Sequence, residues 1–476
     1  MPIKFGTDGW RAVISDEFTF ANLRLVSQAV ADYALQATPA GNRPRWVVGF
    51  DTRFLSDRYA REVAGVFAAN DIQVCLARSD APTPAVSFAV RHMQADGGVM
   101  ITASHNPPRY NGFKVKAHYG GSANGQMIRS IEAHLRRVSE GGHAPAILDV
   151  EAGEAEHRIE RFDPMPAYLD HVRSLIDLDC IARASPRVVV DSMYGAGRGY
   201  IRDFLAVAGC GVQEIRGNMN PGFGGIHPEP IAANLGALKE ALAKSAWSIG
   251  LATDGDADRI GAMTSTGRFV DPHVIMSLAL RYLVERRGLR GDVVKTVSTT
   301  QMLNVLSEQY GLRLYETPVG FDHICDLILA NDVLIGGEES GGITIRGHIP
   351  EGDGILMGLL LVELLADSGL SFDELIADLM KQVGQFYYGR HDYQVKAFSK
   401  AELVKRLIHG APAQIAGMAV KSISDMDGVK YLLEGGSWLL IRPSGTEPVL
   451  RVYAEARREA DVGSMLETGQ QLGLGQ

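Results

Sequence analysis

Short runs rich in β-branched residues, each followed by a helical pattern, recur from one end of this chain to the other, at 46–50, 74–77, 98–102, 188–191 and 333–336. That alternation is the pattern of βαβ units, whose strands lie in parallel or mixed sheets covered by helices. A chain of 476 residues is too long for one core and, at roughly 100 to 200 residues per domain, divides into three or four. Two stretches read as boundaries: 151–159, charged and poor in apolar residues, and 384–392, polar and aromatic after a long helix-like segment at 355–383. A weaker break falls at 267–271. The expected segments are therefore 1–155, 156–265, 266–383 and 384–476. Three successive α/β segments leave room for a structural repeat that the sequence itself does not display.

Charge narrows the function. Lys and Arg number 47 against 56 Asp and Glu, a net charge of -9, which argues against a nucleic-acid or anionic-membrane binder, so an anionic substrate must be met by local arginines. Cys75, Cys180, Cys210 and Cys325 lie far apart without a CxxC pair, which disfavours a zinc site or disulfide framework and fits a reducing compartment. The longest apolar run, 355–362, stops at Glu363, well short of a membrane span, and a cytoplasmic protein is expected.

Asp254, Asp256 and Asp258 alternate in the segment TDGDADR after an apolar run. Three carboxylates so spaced converge on one hard cation if the chain turns at Gly255. A calcium loop of the EF-hand type needs Gly and Glu where Arg259 and Ser265 stand, which leaves a compact site suited to Mg²⁺. In ITASHNPP, the Asn106-Pro107-Pro108 turn would hold Ser104 at the carboxyl end of a strand, where α/β sheets bind ligands. Neighbours in extended chain point to opposite sides, so His105 is not expected to deprotonate Ser104. Asn111 to Lys114 reads as a turn into a short strand ending at Lys114, a proton carrier if desolvated.

The glycine-flanked segment GGEESGG offers Glu338 and Ser340 to the hydroxyls of a polyol. RPSGTEP sets Arg442, Ser444, Gly445 and Thr446 between two strand-like runs, an arrangement suited to a phosphate: a guanidinium, hydroxyls and backbone N–H groups. Arg11, in the opening FGTDGWR, is a further anion contact. The segment GAGRG at 195–199 lacks the GxGxxG spacing of a dinucleotide site and reads as a strand-to-helix turn.

Together these segments resemble the α-D-phosphohexomutase superfamily, the phosphoglucomutase/phosphomannomutase family within it. TASHNP looks like its phosphoserine loop, DGDADR its metal loop, GEESGG its sugar-selecting loop and RPSGTEP its phosphate-binding loop, in the family's order along almost the whole chain. The resemblance implies three similar α/β domains with mixed sheets around a central cleft, plus a smaller C-terminal α+β domain like the TATA-binding protein. It implies a catalytic set of Ser104, His105, Lys114, Arg11 and Arg259. Mg²⁺ would sit on Asp254, Asp256, Asp258 and the phosphorylated Ser104, and a hexose 1,6-bisphosphate would serve as intermediate and activator. Two positions depart from the family's patterns: Gly342 stands where bacterial members resemble GEMSGH, and Asp322, followed by His323, where many have VGFK. His323 is thus a substitute candidate for the second acid/base. GEESG is closer to phosphoglucomutases than the GEQSGH of glucosamine-phosphate mutases, so glucose phosphates are the expected substrates and mannose phosphates the near alternative. A non-catalytic sugar-phosphate sensor would have lost Ser104 or the aspartates, and this chain keeps all four.

Overall fold

The computed structural model describes residues 3–6, 9–142, 144–395, 399–444 and 449–475. It contains the repeat that the sequence hides. In the first sheet, strands Arg45–Phe50, Gln73–Ala77, Gly97–Ile101 and Tyr110–Ala117 lie in the spatial order second, first, third, fourth; the first three are mutually parallel and the fourth is antiparallel to the third. The second sheet repeats that order and sense with Val188–Asp191, Val212–Ile215, Ile249–Thr253 and Ile260–Thr264. The third repeats it with Asp292–Thr296, Leu314–Thr317, Val333–Gly337 and Ile343–Ile345. Every third strand is buried along its whole length, as parallel strands covered on both faces must be, and this is why they read as unbroken apolar runs.

In each unit the connection between third and fourth strands is a hairpin, and those hairpins carry Ser104, the aspartates 254–258, and Glu338 with Ser340, respectively. The α/β units are thus three copies of one device, each presenting a different chemistry from the same place.

Several boundaries differ from expectation. Ile159–Phe162, beyond the break expected at 155, pairs parallel with Gln73–Ala77 and is the edge of the first sheet; Phe269–Val270, beyond 265, pairs with Ile260–Thr264 and closes the second. The segment 355–383 is two helices, Gly354–Ser368 and Phe372–Val383, bent by 86°. Gly369 ends the first in a left-handed conformation (φ 66°) and Ser371 with Glu374 caps the second reciprocally, signals that an apolar run masks. Lys114 sits inside the eight-residue strand Tyr110–Ala117 rather than at the end of a short one. Among the described residues no single helix is long and apolar enough to cross a membrane; the apolar helix Gly354–Ser368 lies instead in the shared core of the α/β units.

The last unit is an antiparallel six-stranded sheet with helices Lys400–His409 and Glu459–Leu474. The stretch 384–392, expected to be a linker, supplies the start of its edge strand Tyr387–Gln394, paired with Val449–Ala456. An edge strand half-open to solvent carries polar residues on both faces, so it reads as a connection. Leu439 and Ile441 pack with the helices, while their neighbours Trp438 and Leu440 on the opposite face join Tyr453 against Val297 and Val319 of the third unit.

Candidate active site

Ser104 lies three residues beyond the strand Gly97–Ile101, in a tight turn with φ 49°, a left-handed conformation that non-glycine residues adopt only when held there. Its amide donates to Thr102 Oγ1 at 2.9 Å and its hydroxyl donates to Asp254 Oδ2 at 2.7 Å, joining the first unit to the second. The extended geometry assumed for His105 does not hold at this turn: Nδ1 lies 3.4 Å from Ser104 Oγ, although the hydroxyl itself donates to Asp254. Burial and the charges of Arg259, Arg11, Arg53 and Lys114 hold the His105 imidazole well below its usual pKa and so neutral.

The aspartate hairpin does turn after Asp254, with Ala257 in the left-handed region (φ 57°). Gly255 is required for another reason: a Cβ there would stand 2.4 Å from the Ser104 carbonyl oxygen. From the other side Gly195 and Gly197 pack against the hairpin, where a Cβ on Gly195 would meet the Asp254 carbonyl at 2.6 Å; GAGRG is the strand-to-helix turn expected, ending at the N-cap Gly199. Carboxylate oxygens of Asp254, Asp256 and Asp258 lie within 4.8 Å of one another, and among the described residues the buried Asp256 Oδ1 and Asp258 Oδ1 have no hydrogen-bond donor. Three carboxylates gathered so closely, two of them with an oxygen left without a donor, fit a hard, oxygen-seeking cation.

The electrostatics divide the three acids. Burial and the two neighbouring carboxylates push Asp254 well above its usual range. Burial would raise Asp256 too, but Lys114 and the Thr83 hydroxyl outweigh it and hold Asp256 below the usual range. Lys114, 1% exposed, places Nζ 3.0 Å from Asp256 Oδ2 and 2.9 Å from Asp258 Oδ2. Arg259 donates its backbone N–H to Asp254 Oδ1 at 3.2 Å and faces Asp258 and Glu229 at 3.8 Å. Arg11 donates from Nη1 to Asn106 Oδ1 at 2.7 Å, on the rim of the serine turn.

Several participants were missed by sequence reasoning. Thr83, first residue of helix Thr83–His92, donates its hydroxyl to Asp256 Oδ2 at 2.6 Å and its amide to the Asp256 carbonyl at 2.9 Å; no local signal announces a partner 173 residues away. Asp51 and Arg53 follow the parallel strand Arg45–Phe50, the position at which ligand-binding residues are sought in such sheets, and a search of strand ends would have found them.

The third hairpin adjoins the second through Ile260 N–H, which donates to the Gly341 carbonyl at 3.1 Å. Within it Glu338 Oε1 accepts from Gly320 N at 3.0 Å, and Ser340 Oγ lies 3.4 Å from Glu338 Oε2. Gly320 starts the helix Phe321–Ala330, whose first turn holds Asp322 and the half-buried His323. Arg442, next to last in the strand Trp438–Pro443, places Nε on Asp427; Asp427 Oδ2 also accepts from Val319 N at 3.3 Å. The Arg442 strand is therefore fastened to the third unit, next to the turn that Glu338 grips. Ser444 N donates to the Val449 carbonyl at 2.8 Å, and Gly445 and Thr446 lie outside the described residues.

Comparison with known proteins agrees with this layout. Phosphoglucomutase/phosphomannomutase family models match alpha/beta/alpha domain I over residues 2–141, domain II over 166–267, domain III over 271–383 and the C-terminal domain over 401–468. A phosphoglucomutase/phosphomannomutase of Thermococcus kodakarensis is 31% identical over 465 residues, 98% of this chain and 97% of that one. The chain belongs to the phosphoglucomutase/phosphomannomutase family. Its members are phosphohexomutases, isomerase-class phosphotransferases. A probable phosphoglucosamine mutase of Pyrococcus furiosus is 32% identical, covering 97% of this chain and 96% of that one. The crystal structure of a putative phosphomannomutase from Thermus thermophilus superposes with TM-score 0.86 at 36% identity, covering 99% of each chain. A Paramecium phosphoglucomutase, 23% identical with TM-score 0.82 over 99% of this chain and 94% of that one, shares the fold.

Proposed function

We propose that this family member is a phosphoglucomutase, interconverting glucose 1-phosphate and glucose 6-phosphate through phosphorylated Ser104 and a hexose 1,6-bisphosphate. The observation that carries the reading is the Ser104 hydroxyl, buried in a strained turn and 2.7 Å from one of three converging aspartates. In the first transfer the bond from phosphorus to Ser104 Oγ breaks and a bond to a sugar hydroxyl oxygen forms. The proton that the sugar loses goes to His323, and the one that Ser104 Oγ gains comes from the Lys114 ammonium; after the bisphosphate turns round, the second transfer runs in reverse. Arg259, Arg11 and the neutral His105 line the turn and stabilise charge in transit, since phosphoryl transfer is mostly positioning and electrostatics. Mg²⁺ on Asp254, Asp256 and Asp258 would neutralise the phosphoserine oxygens. Arg442, Ser444, Gly445 and Thr446 hold the phosphate that is not reacting.

A second reading, phosphomannomutase, is supported by the double name of the Thermococcus relative and by that of the Thermus structure. Turnover with glucose 1-, mannose 1- and glucosamine 1-phosphates, each with Mg²⁺ and a trace of the 1,6-bisphosphate, separates the candidates; a leading rate with any but glucose 1-phosphate overturns the assignment.

Two substitutions test the substrate grip. Glu338→Ala is expected to erode the preference between glucose and mannose phosphates, because a pocket built on hydrogen bonds rejects analogues by leaving its polar groups unpaired. Since Glu338 also holds Gly320 N, a large loss of rate with the preference intact would assign it to fastening that turn. A charge-assisted contact contributes about 1.5–3 kcal/mol, so Arg442→Ala is expected to lower kcat/KM roughly 10- to 150-fold while Ser104 still becomes phosphorylated. A lower melting temperature with unchanged kinetics would reduce Arg442 to a structural partner of Asp427.

A further inference from the structure

Arg53 is 3% exposed, and its guanidinium is spent on the backbone of one turn. Nη1 donates to the carbonyls of Pro107 at 3.0 Å and Tyr110 at 3.1 Å, and Nη2 to those of Ser104 and Asn106. Nε faces Asp51 Oδ2 at 3.2 Å. Asp51 in turn accepts from the Thr102 hydroxyl at 2.6 Å, the Ser56 hydroxyl at 2.8 Å and the Arg53 amide at 2.9 Å. Because Thr102 Oγ1 also accepts from the Ser104 amide at 2.9 Å, both peptide groups of Ser104 are tethered, the amide through Thr102 to Asp51 and the carbonyl directly to Arg53.

We propose that Arg53, with Asp51 and Thr102, is a positioning device for the reacting hydroxyl of Ser104; the inference rests on the reading of Ser104 as the phosphoryl carrier. A planar fork with five donors can serve four carbonyls at once, which a lysine with three cannot. The second unit closes over the device: the Phe223 ring lies 4.8 Å from the Arg53 guanidinium carbon, and the Ser104 carbonyl packs where a Cβ on Gly255 would stand. Moving that carbonyl therefore shifts the hydroxyl relative to Asp254. A buried ion pair is weak evidence for stability, because apolar packing of the same volume often serves as well. Here its hydrogen bonds hold the turn that contains Ser104, whose left-handed conformation must be enforced.

The test compares wild type, Arg53→Lys and Thr102→Val by melting temperature, KM and kcat, and by single-turnover transfer from isolated phosphoenzyme to hexose phosphate. Misplacing a reacting atom by about 1 Å costs on the order of 100-fold. Arg53→Lys should lower kcat and the single-turnover rate together by about that factor, with KM for the hexose phosphate nearly unchanged. Thr102→Val, which buries no unpaired charge, should lower both rates by roughly tenfold or more on the same ground. A residue that only stabilises the fold would lower the melting temperature and leave the kcat of folded enzyme intact, and that result would overturn the proposal. Should Arg53→Lys not fold, Thr102→Val decides alone, and a wild-type kcat in it is the overturning result. Absence of phosphate on Ser104 in active wild-type enzyme would overturn the parent reading and this one together, whereas phosphorylated wild type with indifferent variants overturns this one only.

Discussion

Ser104→Ala is expected to lose turnover by several powers of ten and to lack the mass of one phosphate that wild-type enzyme carries. The size follows from chemistry: without Oγ no covalent phosphoenzyme forms, and what remains is the small rate of direct transfer between bound molecules. The substitution is mild for the fold. The Ser104 tethers run through its amide and carbonyl, which alanine keeps, and the side chain's partner is Asp254. Melting temperature should therefore stay near that of wild type while intact mass and kcat change; an active Ser104→Ala protein would refute the assignment.

Asp256→Asn should lower kcat by about 100- to 1,000-fold, the usual cost of removing one preorganised electrostatic group from a transition state, and raise the Mg²⁺ concentration needed for half-maximal rate. Hexose-phosphate KM should move much less, since the loss falls on the step and not on binding. Asp256 Oδ1 has no hydrogen-bond donor among the described residues, whereas Oδ2 is already occupied by Thr83 and Lys114. The substitution can thus act in two ways, by weakening the cation or by loosening Lys114 and Thr83. Titration with Mg²⁺ separates them, because rescue at high concentration belongs to the first. Chelation with EDTA should abolish turnover in wild type, and an unchanged rate would remove the cation from the account.

The strands and chemistry that the sequence displayed are those whose signal is local. Val188–Asp191 and Val333–Gly337 are buried on both faces and announce themselves as apolar runs. The aspartates 254, 256 and 258 sit within one turn of chain, so spacing alone brings them together. Tyr387–Gln394 failed because an exposed edge resembles a linker, and the orientation of His105 failed because it depends on the φ of Ser104, which a hydroxyl-bearing residue does not advertise. The position of Arg53 was open to a search of strand ends, but the partners of Arg53 and Thr83 were hidden for a different reason. Their contacts span 51 and 173 residues: the first exists only once the first sheet has formed, the second only once the first two units have come together.

The placement of Ser104, the aspartates and Glu338 on equivalent hairpins has a consequence for how such enzymes diversify. Each loop leaves and re-enters its sheet on adjacent antiparallel strands, so its length and composition can change while the register of the strands stays fixed. On the proposed reading, the segment 338–342 is an exchangeable cassette for sugar choice on a different copy of the unit from Ser104 and the acidic cluster, joined to the aspartate hairpin through Ile260 N–H on the Gly341 carbonyl. Relatives about equally similar to this chain carry the names of different hexose phosphates.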